Sequence, residues 1–148
     1  MIWSSSMCLD IEKIGELFPA PDVKNMSALS LAFAGDAVYE LFIRQYILSK
    51  GDARVKTLHN DCVKLVNADF QAKCMDILEP VLTETETAVF KRGRNAHAGH
   101  TPKNKSEAVY HRSTGFEALI GYLYLKKEYE RLEYFFSLIL RQGEYDEG

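Results

Sequence analysis

The chain of 148 residues contains only three cysteines, four prolines and one tryptophan. An odd number of cysteines without a secretory signal predicts free thiols in a reducing compartment, and the spacing of Cys8, Cys62 and Cys74 matches no zinc motif. Charged residues interrupt the longest apolar runs, so none supplies the roughly 20 uninterrupted residues that a membrane span needs. These absences predict a soluble, cytoplasmic protein with no membrane partner.

Period-two alternation is also lacking, while apolar residues recur at spacings of three and four nearly everywhere. The pattern predicts an all-α fold, and the length predicts a single domain over residues 1–148. The first expected helix is Leu9–Phe18, and a short helix that begins after Ser27 meets a longer one near Gly35. A long helix is expected from Val55 to about Leu78, and another after a capping box of Thr83 and Glu86. The last two expected helices are Glu107–Lys127 and Glu128–Gln142.

Two apolar helical runs each contain a lone carboxylate beside glycine. They are LAFAGDAVYELFI, with Asp36, and STGFEALIGYLYL, with Glu117. An ionised carboxylate among packed apolar side chains is costly unless a cation or hydrogen-bond donors compensate it. If helix packing brings the two together, they form a divalent-cation site, and the adjacent Gly35, Gly115 and Gly121 would allow the helices to approach closely.

Positive charge is concentrated in one segment of an otherwise acidic chain. Residues 91–112 contain six Lys or Arg and one acid, which gives +5, whereas the whole chain carries −3 and the remainder therefore −8. The candidate phosphate-binding residues are Lys91, Arg92, Arg94, His97, Lys103, Lys105 and Arg112. Such a segment indicates a face that meets phosphates, although a solvated loop is the alternative interpretation.

The two carboxylate runs resemble the conserved motifs of the ribonuclease III family, in the right order and at the right distance. AFAGDAVYELFIRQYI is similar to the family's signature helix, and STGFEALIGYLYL to its second conserved helix. The basic FKRGRNAHAGHTPKN between them is typical of the small, single-domain branch, Mini-ribonuclease III. The resemblance extends from about Ser27 to Leu140. Residues 1–6 fall outside it as an extension or artefact, with Met7 as an alternative start.

The resemblance implies a ribonuclease III-like catalytic domain that hydrolyses double-stranded RNA with Mg²⁺, or alternatively Mn²⁺. Asp36 and Glu117 would be the catalytic metal ligands, and the basic segment would hold the RNA backbone. It further implies a homodimer that matures the precursor of the large-subunit (23S) ribosomal RNA, with a ribosomal protein as a further candidate partner. No separate double-stranded RNA-binding domain is expected after Gln142.

The chain departs from the full-length family at three positions. The resemblance implies further acids seven and four residues before Asp36 and three before Glu117, where this chain has Leu29, Ala32 and Thr114. Their loss supports an alternative function, a non-catalytic ribonuclease III-like module for RNA binding or ribosome assembly. Against it, a purely binding protein has no need of two costly carboxylates.

Two features near Asp36 leave more than one interpretation open. Glu40 either orders a metal-bound water or pairs with Arg44, and the ion pair is the commoner outcome at a spacing of four residues. The aromatic residues Phe33, Tyr39 and Phe42 contribute either to a dimer interface or to the core.

Overall fold

The structure is a computed structural model that describes residues 16–19, 22–96 and 106–146, with side chains as far as residue 141. The helices in these ranges are α1 (Ala28–Ser49), α2 (Val55–Val66), α3 (Ala68–Leu78), α4 (Glu84–Asn95), α5 (Glu107–Leu125) and α6 (Tyr129–Asp146). Short 3₁₀ turns occupy Val23–Asn25 and Glu79–Val81. No strand occurs in the described ranges, which confirms the all-α prediction. The predicted helix Leu9–Phe18 lies mostly outside the described residues.

Helix α1 begins where the sequence predicts but does not break. The Ser27 side chain accepts a hydrogen bond from the Ser30 N–H at 3.1 Å and caps the first turn. The helix then continues through Gly35 for 22 residues, so the predicted junction near Gly35 is wrong. Glycine lowers intrinsic helix propensity by about 1 kcal/mol, but packing against another helix outweighs that preference here.

The predicted long helix from Val55 to Leu78 is wrong as well, because Asn67 divides it into α2 and α3. The Asn67 side-chain amide donates to the carbonyls of Val63 and Lys64, both at 3.0 Å, and its oxygen accepts from the Phe70 N–H at 2.9 Å. One side chain therefore ends one helix and caps the next. Asparagine readily satisfies backbone groups in this way, and a purely apolar stripe does not reveal it.

Helix α4 begins with the predicted capping box. Thr83 accepts from the Glu86 N–H at 3.1 Å, and Glu86 accepts from the Thr83 N–H at 2.8 Å. Glu86 is buried, and Arg131 of α6 donates to both of its carboxylate oxygens at 2.8 and 2.9 Å. Burial alone would raise the pKa of Glu86, but the bonds from Arg131 and Thr83 lower it overall. This ion pair anchors the start of α4 to α6.

Helix α5 lies at the centre of the described bundle and packs against α1, α3, α4 and α6. Its Phe116 is fully buried and meets Tyr39 of α1 edge to face, with ring centroids 5.1 Å apart. Aromatic and aliphatic side chains from α3 and α6 complete this core. No helix in the described ranges combines the length and the apolar character that crossing a membrane requires.

Candidate functional site

The closest helix crossing in the site joins α1 and α5 through a pair of glycines. A Cβ atom at Gly35 would lie 1.8 Å from the Glu117 carbonyl oxygen, and one at Gly121 would lie 1.9 Å from the Leu31 carbonyl oxygen. The two contacts are reciprocal, since each glycine faces the carbonyl of the residue four positions before the other glycine. Only the absence of both side chains permits this approach. The predicted packing function of Gly35 and Gly121 is thereby explained.

This crossing brings the Asp36 and Glu117 carboxyl groups into contact. Asp36 follows Gly35 on α1 and is exposed, whereas Glu117 lies on α5 and is partly buried. Burial raises the pKa of Glu117 to about 8, and a hydrogen bond with the Asp36 side chain, together with its negative charge, adds to the rise. In the absence of a cation, Glu117 is therefore protonated near neutral pH, because burial and the adjacent negative charge both disfavour its ionised form.

The pair offers hard oxygen ligands at a surface that is open on the Asp36 side. Within the described residues, no group of three or more His, Cys, Asp and Glu side chains could hold a metal ion. One or two carboxylates completed by water and substrate phosphate oxygens suit Mg²⁺, which keeps several of its own waters. The donor set and the raised pKa of Glu117, which a bound cation would lower, therefore both fit a divalent cation.

Glu40 lies one turn after Asp36 and has a cation partner of its own. Arg44 Nη2 lies 3.3 Å from Glu40 Oε1, and the two side chains are 58% and 42% exposed. A pair this exposed contributes little to stability. The structure thus shows the ion pair that was one of the two interpretations. The assignment of Glu40 to the metal site stays a prediction.

The three positions without acids differ in their surroundings. Ala32 and Thr114 are buried, and the Thr114 hydroxyl donates to the Tyr110 carbonyl oxygen at 3.1 Å within its own helix. Leu29 is 37% exposed. Ala32 and Thr114 are therefore packed positions without a carboxylate, and the contacting carboxyl groups at this crossing are those of Asp36 and Glu117.

Three of the predicted phosphate-binding residues lie in the last two turns of α4. Lys91 and Arg92 are exposed, and Arg94 is partly exposed with its guanidinium 5.7 Å from the Phe90 ring centroid. Arg92 Nη2 donates to the Met26 carbonyl oxygen at 2.7 Å, which ties the end of α4 to the segment that precedes α1. The basic end of α4 is thus fixed to the segment that leads into α1, the helix that carries Asp36.

Arg112 has a different environment from the other cations. Its guanidinium lies 2.6 Å from Asp76 Oδ1 and 2.7 Å from Glu79 Oε1, and it is 25% exposed. Its predicted contact with phosphate is not tested by these distances. The remaining predicted residues, His97, Lys103 and Lys105, lie outside the described residues.

Gly93 is a site-forming residue that the sequence analysis did not single out. A Cβ atom there would lie 2.7 Å from the Ala118 Cβ and 2.8 Å from the Gly115 Cα. This contact places the basic end of α4 against the residue next to Glu117. A glycine within the helical KRGRN sequence was the available signal, because glycine inside a helix needs a packing or functional reason.

Comparison with known proteins gives a consistent family. The model of the ribonuclease III domain matches residues 29–128. Mini-ribonuclease 3 of Clostridium tetani is 47% identical over 128 residues, which cover 86% of this chain and 85% of that protein. Mini-ribonuclease 3 of Symbiobacterium thermophilum is 49% identical over 104 residues, covering 70% of this chain and 80% of that protein.

A solved structure shows the same fold. The crystal structure of a Fusobacterium nucleatum protein superposes with a TM-score of 0.75 at 31% sequence identity, and the match covers 84% of this chain and 99% of that one.

Proposed function

The chain belongs to the ribonuclease III family and is an endoribonuclease of the Mini-ribonuclease 3 type, and we propose that it cleaves double-stranded RNA with a divalent cation held by Asp36 and Glu117. The observation that carries the proposal is the carboxyl–carboxyl contact at the α1–α5 crossing. The family is generally dependent on divalent metal. Mg²⁺ is the proposed ion, with Mn²⁺ as the alternative, because both are bound through hard oxygen ligands.

The residues of the chain divide the work between holding the ion and orienting the RNA. When bound, a divalent cation supplies a more acidic water and neutralises charge that builds up on the scissile phosphate. Asp36 on the exposed side and Glu117 on α5 would hold the ion, and Glu117 would have to give up its proton to do so. Lys91, Arg92 and Arg94 then receive neighbouring backbone phosphates at the end of α4.

The natural substrate that we propose is the precursor of the large-subunit (23S) ribosomal RNA, processed in the cytoplasm. The resemblance to the Mini branch supports it, and a ribosomal protein is the proposed assisting partner. Duplex RNA is recognised mainly by shape, phosphate and 2′-OH contacts, which a small helical domain with one basic edge can supply.

We further propose a homodimer in which each protomer cuts one strand of the duplex. The three aromatic residues considered for the dimer interface differ in how exposed they are. Phe33 is 84% exposed on α1, Tyr39 is fully buried, and Phe42 packs on Phe136 with ring centroids 4.7 Å apart. Phe33 is therefore available for an interface, whereas Tyr39 belongs to the core of its own protomer.

The first test is cleavage of a structured duplex RNA by Asp36→Asn and Glu117→Gln. Each change removes a metal-binding charge and keeps the shape, so we expect cleavage to fall by at least about a hundredfold, comparable with the loss of other strong electrostatic contributions in active sites. Duplex affinity without metal should stay close to that of the parent. Glu133→Gln removes an exposed charge of α6 and serves as the matched control.

Metal binding gives a second readout that does not depend on activity. The melting temperature of the parent should rise with added Mg²⁺ or Mn²⁺, and that rise should be lost in both site variants and kept in Glu133→Gln. Cleavage by either variant at more than a few per cent of the parent rate would reject these ligands. Binding of duplex RNA by the parent without any cleavage would favour the non-catalytic alternative.

A further inference from the structure

Arg112 lies on α5 five residues before Glu117 and is surrounded by groups of α3, α4 and the 3₁₀ turn at Glu79–Val81. We propose that Arg112 is a positioning residue that fixes the basic end of α4 for RNA binding without contacting phosphate itself. The proposal rests on the RNA-binding function proposed above. It assigns Arg112 a role distinct from that of Arg92 and Arg94.

The guanidinium of Arg112 uses all three of its nitrogens within the protein. Nη2 lies 2.6 Å from Asp76, Nη1 lies 2.7 Å from Glu79, and Nε donates to the Ala72 carbonyl oxygen at 3.3 Å. A planar fork with fixed donor directions makes three such contacts where a lysine ammonium does not. Arg112 and its two carboxylates together carry a formal charge of −1, which gives an RNA phosphate no net attraction to the group.

The same guanidinium also covers a buried ring of α4. Its carbon atom lies 5.6 Å from the centroid of Phe90, which is only 3% exposed. One turn further along α5, a Cβ atom at Gly115 would lie 2.7 Å from the same ring. The Phe90 ring therefore lies in a notch on α5, where Gly115 leaves room for the ring and the Arg112 guanidinium covers it. Gly115 and Arg112 can both contact the ring because residues three apart share a helix face.

The notch determines where the basic residues of α4 lie. Lys91 and Arg92 directly follow Phe90, and Arg94 is stacked on the same ring. Gly93 contacts Ala118, the neighbour of Glu117. A shift of the Phe90 ring consequently moves the phosphate-binding cations relative to the carboxylate pair. Arg112 is the polar link that fixes the position of this ring relative to α3.

The experiment compares three changes by duplex RNA binding in EDTA at several salt concentrations. Arg112→Gln removes the link, Arg112→Lys keeps the charge without the fork, and the double variant Asp76→Asn/Glu79→Gln removes the carboxylate partners. We expect each to weaken affinity about fivefold, or about 1 kcal/mol, while the slope of log affinity against log salt stays parallel to that of the parent. Lys91→Gln, at an exposed cation of α4, is the control, with a slope reduced by about 0.7 to 0.9.

The two roles of Arg112 predict opposite results for the double variant. A phosphate-binding Arg112 would be freed by loss of its partners and would bind RNA more tightly, and Arg112→Lys would retain affinity. Either result, or a reduced salt slope in Arg112→Gln, overturns the proposal.

Cleavage kinetics separate positioning from instability. Positioning raises the half-saturating duplex concentration about fivefold with less than a twofold loss of turnover at saturation. A merely destabilised protein instead loses turnover in proportion to its folded fraction, which melting curves measure, and such a result would also reject the proposal. If the parent neither binds nor cleaves duplex RNA, the proposed function fails, and a role of Arg112 in RNA binding is rejected with it.

Discussion

At the scale of the residue, Glu117 is distinguished by a pKa of about 8, far above the ordinary range of a glutamate. Burial is the main cause, and the neighbouring Asp36 adds to it. A carboxyl group in this state binds a proton at neutral pH that it does not bind in the unfolded chain. Its effect on stability therefore has a defined direction.

We predict that the metal-free protein loses stability as pH rises from about 4.5 to about 8. Over this window the folded state binds the Glu117 proton and the unfolded state does not, so the free energy of unfolding falls with pH. Urea unfolding in EDTA across this range should show a steeper decline for the parent than for Glu117→Gln. Parallel curves would contradict the raised pKa.

Single residues also show how far sequence alone extends. Asp36 and Glu117 could be selected from the sequence because a carboxylate beside glycine in an apolar run is costly and therefore informative. The partners of Arg112 could not, since Asp76 and Glu79 lie 36 and 33 positions away and nothing local indicates which cation they pair with. Charge composition alone grouped Arg112 with the other residues predicted to bind phosphate.

At the scale of the element, the α1–α5 crossing depends on two glycines that tolerate no side chain. We predict that Gly35→Ala and Gly121→Ala each destabilise the protein by about 3 kcal/mol or more, because the added Cβ would overlap a backbone oxygen. In a chain of this size, that corresponds to a fall in melting temperature of roughly 6 to 12 °C.

Cleavage at low temperature should suffer more than the folded fraction, since separating the helices also separates the carboxyl groups. Ala37→Gln enlarges an exposed neighbour on the same helix and should change stability by less than about 0.5 kcal/mol. A Gly35→Ala protein with the same melting temperature as the parent would show that α1 and α5 are not in backbone contact.

The end of α5 carries a different kind of strain. Lys127 has φ of +63°, and the Lys127 and Glu128 N–H groups donate to the carbonyls of Tyr124 and Leu123 at 3.0 and 2.9 Å. This is a Schellman cap, whose left-handed position favours glycine. Lys127→Gly should raise stability by about 0.5 to 1 kcal/mol, or roughly 1 to 4 °C.

The adjacent Lys126 has ordinary helical angles, φ −80° and ψ −1°. Lys126→Gly should therefore lower the melting temperature, since glycine there only increases the entropy of the unfolded chain. The pair of variants tests backbone conformation directly. Equal shifts of the same sign would disagree with a left-handed Lys127.

The elements themselves divide into predictable and unpredictable features for a physical reason. The caps at Ser27 and Thr83 were predictable because they depend on side chains within three residues. The continuity of α1 through Gly35 was not predictable, because Gly35 packs against Gly121, which lies 86 positions away in the chain. Local propensity alone favoured a break there.

At the scale of the whole molecule, the chain separates its charge, with +5 between residues 91 and 112 and −8 elsewhere. Helix packing turns part of this linear separation into a spatial one. Arg92 is tied to the segment before α1, and Gly93 lies against α5, so the basic end of α4 adjoins both helices that carry the carboxyl pair. The charge asymmetry was visible in the sequence, whereas its location beside the site required the three-helix arrangement.

The salt dependence of RNA binding tests that arrangement. Replacing Arg92, Arg94 and Lys103 together by Gln should reduce the slope of log affinity against log salt by roughly two units, because about three phosphate contacts each contribute ~0.7 to 0.9. Affinity should fall for every duplex sequence alike, since phosphate contacts carry no base information. Lys103 enters this set on the sequence argument alone, as it lies outside the described residues.

The matched control removes the same charge from exposed lysines of α2 and α3, namely Lys56, Lys64 and Lys73. The net charge of the two triple variants is identical, so a general electrostatic attraction would lower both slopes equally. If the basic segment contacts phosphate, only the Arg92, Arg94 and Lys103 variant has a reduced slope, because counterions are released where cations contact phosphates and not over the whole surface. Parallel slopes for the parent and the Arg92, Arg94 and Lys103 variant would leave the segment as a solvated loop and place the RNA on another face.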